Sequence, residues 1–404
     1  VSDGVERLAV RVSPDALRHV RGGHPWVFDD SVVSVRPDGR AGDLAVVFDD
    51  RRKFVAIGLY DPDSPIRVKV LHHGRPTPID GPFWTGRLAG ALAVRARLVE
   101  DPTTTAFRWV HGENDGMPGL VLDRYGDDTV VKLYSAAWFA HLDAIVAAAQ
   151  EVLPAGRVVL RLARNVGSEG GRGDGTAVLG ELPTGPIRFL ERGLTFDADL
   201  VHGQKTGHFL DQRDNRARVR ARSAGARVLD VYACTGGFSV NAAAGGAELV
   251  HSIDISAAAI DTARRNMDHN RSLAAVRAAR HHTTVGDAMT VMADMADHGR
   301  RFDMVVVDPP SFASRKDQVP GALRAYGRLT QLALRLIEPG GTLVQASCSS
   351  RIGEDEFFAV VDGAASRSGV LLTDVARTAH PVDHPVGFAQ GAYLKAVFAR
   401  VEPS

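Results

Sequence analysis

Val228-Leu-Asp-Val-Tyr-Ala-Cys-Thr-Gly-Gly237 decides the fold. An apolar run interrupted by Asp230 passes into a Thr-Gly-Gly turn, and 238–244 then reads as a helix. A strand entering a glycine turn and then a helix is the opening unit of a doubly wound α/β sheet, which binds nucleotide-like ligands at such turns. The rhythm continues outward, with strands at 249–255, 302–307 and 342–346 alternating with helices at 257–270 and 321–337. Apolar runs without polar alternation are strands buried on both faces of a parallel sheet. Segments 370–375 and 393–401 follow, the last as a strand returning antiparallel at the sheet edge.

Upstream the texture differs. Short β-branched runs at 45–48, 54–60 and 66–71, separated by Asp/Pro-rich turns, read as a small β-barrel. A Pro/Gly-rich joint at 74–82 leads into a helix at 84–99, strands and loops over 107–135, a helix at 136–153, and strands at 158–162 and 185–196. The glycine-rich stretch 167–175 reads as an exposed loop. The expected organisation is a β-barrel at 1–75, an α+β domain at 76–199 and the doubly wound domain at 200–404.

Composition removes several classes. With 404 residues, 45% apolar and 24% charged, the chain is long enough for two or three cores. No stretch approaches the ~18 apolar residues of a membrane span. Residues 1–10 carry acids and no apolar h-region, so neither a signal nor a transit peptide is read there, and a cytoplasmic location is expected. Two cysteines, Cys234 and Cys348, cannot build a disulfide framework or a four-ligand zinc site. His281-His282 has no partner cluster at ligand spacing, so no catalytic metal is expected. Lys+Arg and Asp+Glu balance at 48 each, so any nucleic-acid surface must be local.

Four acids stand at successive strand ends. Asp254 lies 24 positions beyond Asp230, Asp287 follows Val285-Gly286, and Asp308 opens Asp308-Pro-Pro-Ser-Phe312. A lone acid there is ordinarily the N-cap of the next helix. Four on one edge, without the G-x-G-x-x-G pyrophosphate fingerprint, suit a cationic adenosine ligand and point to S-adenosylmethionine (SAM) over NAD. Tyr232, Thr235, Gly236, Ile255, Ala288 and Pro309 adjoin the acids and complete the candidate lining. The layout resembles the class I SAM-dependent methyltransferases, a Rossmann-like fold with an antiparallel last strand. Cys234 occupies a slot where many members carry Gly, and its plain reading is a small buried filler.

Leu343-Val-Gln-Ala-Ser-Cys-Ser-Ser350 places Cys348 just beyond the next strand, beside the Asp308 turn. A thiolate is the side chain suited to methylating a pyrimidine carbon, because carbon 5 attacks a methyl group only after a nucleophile has added at carbon 6. Cys348 is equally an ordinary strand-end residue. Its neighbours resemble the bacterial 23S rRNA (cytosine-5)-methyltransferases that carry an N-terminal PUA domain. The resemblance extends to Gly203-Gln-Lys-Thr-Gly-His-Phe-Leu-Asp-Gln-Arg-Asp-Asn-Arg216, to Gly112-Glu-Asn-Asp-Gly-Met-Pro-Gly-Leu-Val-Leu-Asp-Arg-Tyr125, to Asp383-His-Pro385 and to Gly391-Ala-Tyr-Leu-Lys395. It implies SAM-site roles for Gln204, Lys205, Thr206, Phe209, Gln212 and Arg213, with S-adenosylhomocysteine as product. His208 replaces an aromatic common beside Phe209, and Ser311 follows Pro310 where better-known RNA cytosine-5 enzymes have a second cysteine. Asp308, Ser311 or water must then take the carbon-5 proton. The Asp308 turn also resembles the motif of nucleobase amino-methyltransferases, under which a purine nitrogen is methylated and Cys348 is dispensable.

Arg21-Gly-Gly-His-Pro-Trp-Val-Phe28 and Gly58-Leu-Tyr-Asp-Pro-Asp-Ser-Pro-Ile-Arg67 resemble a PUA domain. That implies an RNA partner, 23S rRNA, with Arg18, Arg21, His24 and Trp26 as contacts and Arg216 joining them from a basic stretch of six Lys/Arg against two Asp over 204–222. Trp26 and Phe28 are equally core residues, and the basic stretch equally a solvated helix face. A homodimer is a further implication of the resemblance. The remaining alternative is an RNA-binding assembly factor that binds SAM without turnover.

Overall fold

The structure is a computed structural model and describes residues 4–404. Residues 1–3, the start of the acidic opening segment, lie outside the described residues. The chain divides into two compact units, each described by itself.

The first runs to Leu190 and takes in Ala198–Leu210 and Val382–Ala389. Its six-stranded sheet has the hydrogen-bonded order Trp26–Phe28, Ile66–His73, Phe54–Tyr60, Leu44–Phe48, Arg7–Val12, Val32–Arg36. Inward-facing Leu8, Val10, Val47, Val68 and Val70 are buried together with Leu17 and Val20 of the helix Pro14–Arg21. Its five-stranded sheet has the order Thr176–Leu179, Arg157–Leu162, Asp128–Leu133, Leu120–Tyr125, Ala106–His111. The expected single helix over 84–99 is instead Gly81–Val94 followed by a short turn of helix, Ala96–Val99. Arg95 breaks it: its guanidinium is fully buried, paired with Asp115, and donates to the carbonyls of Ala91, Arg108 and Asp383.

The second unit is Glu191–Asp197, Asp211–Pro381 and Gln390–Ser404. Its helices are α1 (Arg213–Arg220), α2 (Gly237–Ala244), α3 (Ala257–His269), α4 (Ala274–Ala278), α5 (Ala288–Asp297), α6 (Val319–Leu336) and α7 (Glu354–Arg367). Its main sheet comprises β1 (Arg227–Val231), β2 (Leu249–Asp254), β3 (Arg280–Val285), β4 (Phe302–Val307), β5 (Ile337–Ser347), β6 (Val370–Thr378) and β7 (Lys395–Pro403). The strand order is β3-β2-β1-β4-β5-β7-β6. The first five strands are parallel, while β7 runs antiparallel to both β5 and β6. Val228, Leu229, Val305, Val307 and Leu343 lie buried in this sheet, with Tyr326, Leu329 and Phe357 of α6 and α7 against it. Each such side chain stabilises the fold by about 1.5–3 kcal/mol.

Because β1 to β5 are parallel, their carboxyl ends form one edge. Strand order reverses between β1 and β4, and that switch point is where open α/β sheets leave a crevice for ligand. Asp254 ends β2, Asp308 follows β4 and Cys348 follows β5, so the sequence's chemical candidates gather along this edge.

Candidate functional site at the carboxyl edge

The turn after β1 is tightly wound. Tyr232, Cys234 and Gly236 all have positive φ, at 63°, 48° and 77°. Gly236 is required there, since a Cβ would lie 2.7 Å from the Ala263 Cβ of α3. Asn266 of α3 donates through Nδ2 to the Thr235 carbonyl at 2.8 Å, fixing the turn from below. Side chains other than Gly are rare at positive φ, so two of them in three residues mark a backbone held by its surroundings.

Asp230 is fully buried. Its Oδ2 accepts from Ser239 N (3.0 Å) and Ser239 Oγ (2.6 Å), while Oδ1 has no hydrogen-bond partner among the described residues. Burial pushes its carboxyl up to about 6, against the two Ser239 bonds that hold it down. Asp254 is held differently: Oδ2 accepts from Cys234 N and Oδ1 from Ser256 N, both at 2.9 Å. Two amides thus fix the carboxylate, and its remaining lone pairs can accept from ribose hydroxyls. Ile255 beside it is 73% exposed, an apolar side chain at the edge where a flat base can rest. Burial pushes the Tyr232 hydroxyl up to about 12 and the Cys234 thiol to about 11, with Asp254 adding to both, so both stay neutral. Cys234 is half-buried, more open than the buried filler its plain reading expected.

Asp287 turns out to be a helix cap. Its Oδ1 accepts from Thr290 N (2.9 Å) and Thr290 Oγ1 (2.7 Å) at the start of α5, and those bonds hold its carboxyl below the usual range. The carboxylate is exposed and Ala288 beneath it is buried.

A relay of amide side chains fixes Asp308. Thr378 Oγ1 of β6 donates to Asn215 Oδ1 (2.7 Å), Asn215 Nδ2 to Gln212 Oε1 (2.6 Å), and Gln212 Nε2 to Asp308 Oδ1 (2.9 Å). Cys348 meets the same turn, its Sγ 4.0 Å from the carbonyl of Pro309. Ser311 is exposed, with Oγ directed to the Ala313 carbonyl at 3.2 Å. Beneath Cys348, Ser347 Oγ bonds Tyr326 OH at 2.9 Å, and Phe312 packs edge-on to Tyr326. Asn215, Thr378 and Tyr326 were absent from the sequence-derived site. Only their long-range partners reveal them, although the Gly203 block contains Asn215.

The other sequence candidates separate. Gln212 and Arg213 belong to the second unit, and Arg213 is buried. Gln204, Lys205, Thr206 and Phe209 belong to the first. There Thr206 is fully buried and bonded to Asp123, and Lys205 Nζ lies 4.2 Å over the Phe209 ring. Gln204 is exposed.

Arg216 is a correction. Its side chain is only 3% exposed and grips Glu191 with Nε (2.7 Å) and a terminal nitrogen (2.5 Å), so its charge is spent on an internal pair and not on RNA. On the helix Pro14–Arg21, Arg18 pairs with Asp15 and Arg21 with Asp49. His24 and Trp26 cluster with Phe388, and Trp26 Nε1 donates to Glu113 at 3.0 Å.

The edge therefore offers an orphaned buried carboxylate oxygen, a pinned strand-end acid and an exposed apolar neighbour, and it lacks the pyrophosphate fingerprint. That donor set fits a cationic adenosine ligand. Together with the reversed-order sheet and its antiparallel β7, it defines a class I SAM-dependent methyltransferase. Residues 173–400 match the S-adenosylmethionine-dependent methyltransferase family, and residues 10–73 match a PUA-like domain. The chain belongs to that methyltransferase family, in its ribosomal RNA large subunit branch. It is 45% identical over 403 residues to a ribosomal RNA large subunit methyltransferase of Deinococcus radiodurans, covering 98% of each chain. It is 35% identical over 384 residues to the ribosomal RNA large subunit methyltransferase I of Klebsiella pneumoniae, covering 94% of each. A SAM-dependent methyltransferase from Streptococcus mutans shares the fold, with TM-score 0.81 and 20% identity over 97% of this chain and 99% of that one. A similar methyltransferase structure holds S-adenosylhomocysteine. No helix among the described residues is long and apolar enough to cross a membrane.

Proposed function

We propose that this protein methylates carbon 5 of a cytosine in large-subunit ribosomal RNA, with the Cys348 thiolate as covalent catalyst. The observation that carries the reading is the meeting of Cys348 with the Asp308-Pro309 turn at the carboxyl edge of the sheet. SAM, when bound, supplies an electrophilic methyl group. The residues assigned to hold it are Asp230, Tyr232, Thr235, Gly236, Asp254, Ile255, Asp287, Ala288, Asp308 and Pro309, with Gln204, Lys205, Thr206, Phe209, Gln212 and Arg213.

Sulfur of Cys348 bonds carbon 6 of the base, and the electron pair of the 5,6 double bond gives carbon 5 the nucleophilicity it lacks. Carbon 5 would take the methyl group as the methyl–sulfur bond breaks, its electron pair remaining on sulfur to leave S-adenosylhomocysteine, and would become tetrahedral. A base then removes the carbon-5 proton, the double bond re-forms and the carbon–sulfur bond breaks, returning the thiolate. Asp308, held by Gln212, is the carboxylate assigned beside the base. The target nucleotide must be splayed from its stack, which costs a few kcal/mol. Arg18, Arg21, His24 and Trp26 of the PUA-like region are the proposed RNA contacts. A three-part division at 1–75, 76–199 and 200–404, a cytoplasmic location and a homodimer belong to the same reading.

The test is transfer of labelled methyl from SAM to unmodified 23S rRNA by wild-type and Cys348→Ala protein, with nucleoside mass spectrometry of the digest. Label in 5-methylcytidine that vanishes with the substitution is the expected result. Label on a purine, or activity that survives, overturns the thiolate mechanism in favour of amino-methylation at Asp308. SAM-independent RNA binding without transfer would make the protein an assembly factor.

A further inference from the structure

The strand register points to a partner for the nucleophile. Strand β7 pairs antiparallel with β5 so that Lys395 stands opposite Ser347, the residue before Cys348. Lys395 is 3% exposed, and its Nζ donates to the carbonyls of Ser349 and Ile352, both at 2.6 Å. The ammonium thus ties down the loop that begins at Cys348. Burying a lysine is costly unless something nearby gains from the charge.

We propose that Lys395 is a positioning residue for the methyl transfer, its ammonium holding Cys348 as thiolate while its two carbonyl bonds fix the loop that presents the sulfur. The inference rests on the reading of Cys348 as nucleophile. It goes beyond that reading by naming the source of the positive field such a thiol requires.

Glu354 and Glu356 of α7 and Cys348 itself favour the charged lysine, while burial opposes it and brings it down to about 8. Tyr326 of α6 faces Cys348, and burial raises its hydroxyl far above the ordinary value, so it stays neutral. Asp308 on the adjoining turn faces Tyr326 as well. The ammonium is therefore present below about pH 8 and lost above it. The supported thiolate belongs to the range below that value.

The test is the pH dependence of iodoacetamide alkylation at Cys348, followed by peptide mass spectrometry, with Cys234 in the same chain as a reference. Its thiol, pushed up to about 11, should react slowly throughout. In wild-type protein the Cys348 midpoint is expected at least one unit below the ordinary thiol value of about 8.5. Lys395→Met should move it up by about one unit, a roughly tenfold slower alkylation at pH 7. Lys395→Arg should restore most of the effect. A merely structural role would scale the rate at all pH values and leave the midpoint in place. SAM binding by calorimetry reports whether the Met variant is folded. A wild-type midpoint at or above about 8.5 overturns the proposal without any variant, as does an unmoved midpoint in folded Lys395→Met protein. Alkylation is read without methyl transfer, so survival of activity in Cys348→Ala would remove the catalytic reading while leaving the Lys395 measurement to stand or fall alone.

Discussion

Gln212 and Asp308, 96 positions apart in sequence, are joined by a 2.9 Å bond from the amide Nε2 to the carboxylate Oδ1. The amide is itself oriented by Asn215, which Thr378 holds in turn. A carboxylate at a reacting centre is only as useful as its orientation, and here that orientation originates on β6.

Replacing Gln212 by Leu removes one donor to a carboxylate, an interaction of about 1.5–3 kcal/mol. Methyl transfer should lose about 10- to 100-fold in kcat/KM. Asn215→Ala should show a smaller loss in the same direction. Steady-state kinetics with both variants checks the relay, and unchanged kinetics in Gln212→Leu would remove it from the mechanism.

Gly236→Ala should weaken the fold and the cofactor site together. The added methyl meets Ala263 at 2.7 Å in a backbone already at φ 77°. Overpacking and left-handed strain each cost on the order of 1–3 kcal/mol. Thermal unfolding should show a lower Tm, and titration calorimetry a weaker SAM Kd.

Asp230 sets a pH dependence of stability. Its native carboxyl stands at about 6, above the ordinary 3.8, so between these values the folded state holds a proton that the unfolded chain has released. The contribution is fully present below 3.8 and lost as pH rises through about 6. About two units of displacement correspond to roughly 3 kcal/mol. Asp230→Asn has no such titration, so on acidification from pH 7 to 4.5 wild type should gain stability relative to the variant. Urea unfolding at both pH values measures the difference, and a constant gap would show that Asp230 is not the group responsible.

Arg216→Ala should destabilise the protein by about 3–5 kcal/mol, because it removes the guanidinium that grips the buried Glu191 carboxylate with two bonds. A combined Arg216→Met and Glu191→Leu chain should recover much of that loss. Denaturant melts decide this, and a large drop in RNA affinity in fully folded Arg216→Ala protein would instead restore the RNA-contact assignment.

The legible part of the chain is its parallel sheet. Phe302–Val307 coincides with the expected strand and Leu249–Asp254 differs from its expected range by one residue, because strands buried on both faces are apolar without interruption, whereas the polar β3, Arg280–Val285, was given no range. Helix α7 was not anticipated: its charged first turn, Glu354-Asp-Glu356, gave no apolar signal until Phe357. The break at Arg95 was equally hidden, since Asp115 and Asp383 that bury it are remote in sequence. Within the site, Asp254, Asp308 and Cys348 could be read because strand ends announce them. Asp287 had the same signature, and its bonds to Thr290 show that it also caps α5, which the sequence left open. Lys395 stood in the sequence only as the end of a matched block and Thr378 not at all, because their placement depends on the antiparallel pairing of β7 with β5 and β6.

Strand β7 lies downstream of β5 in the chain, separated from it by α7 and β6. During synthesis Cys348 therefore leaves the ribosome while Lys395 is still to be added. If Lys395 has its proposed role, a thiol awaiting that cation would react as an ordinary one, and the pairing of β7 onto β5 would complete its surroundings. On that proposal, the heightened reactivity of Cys348 would arrive only together with the finished sheet.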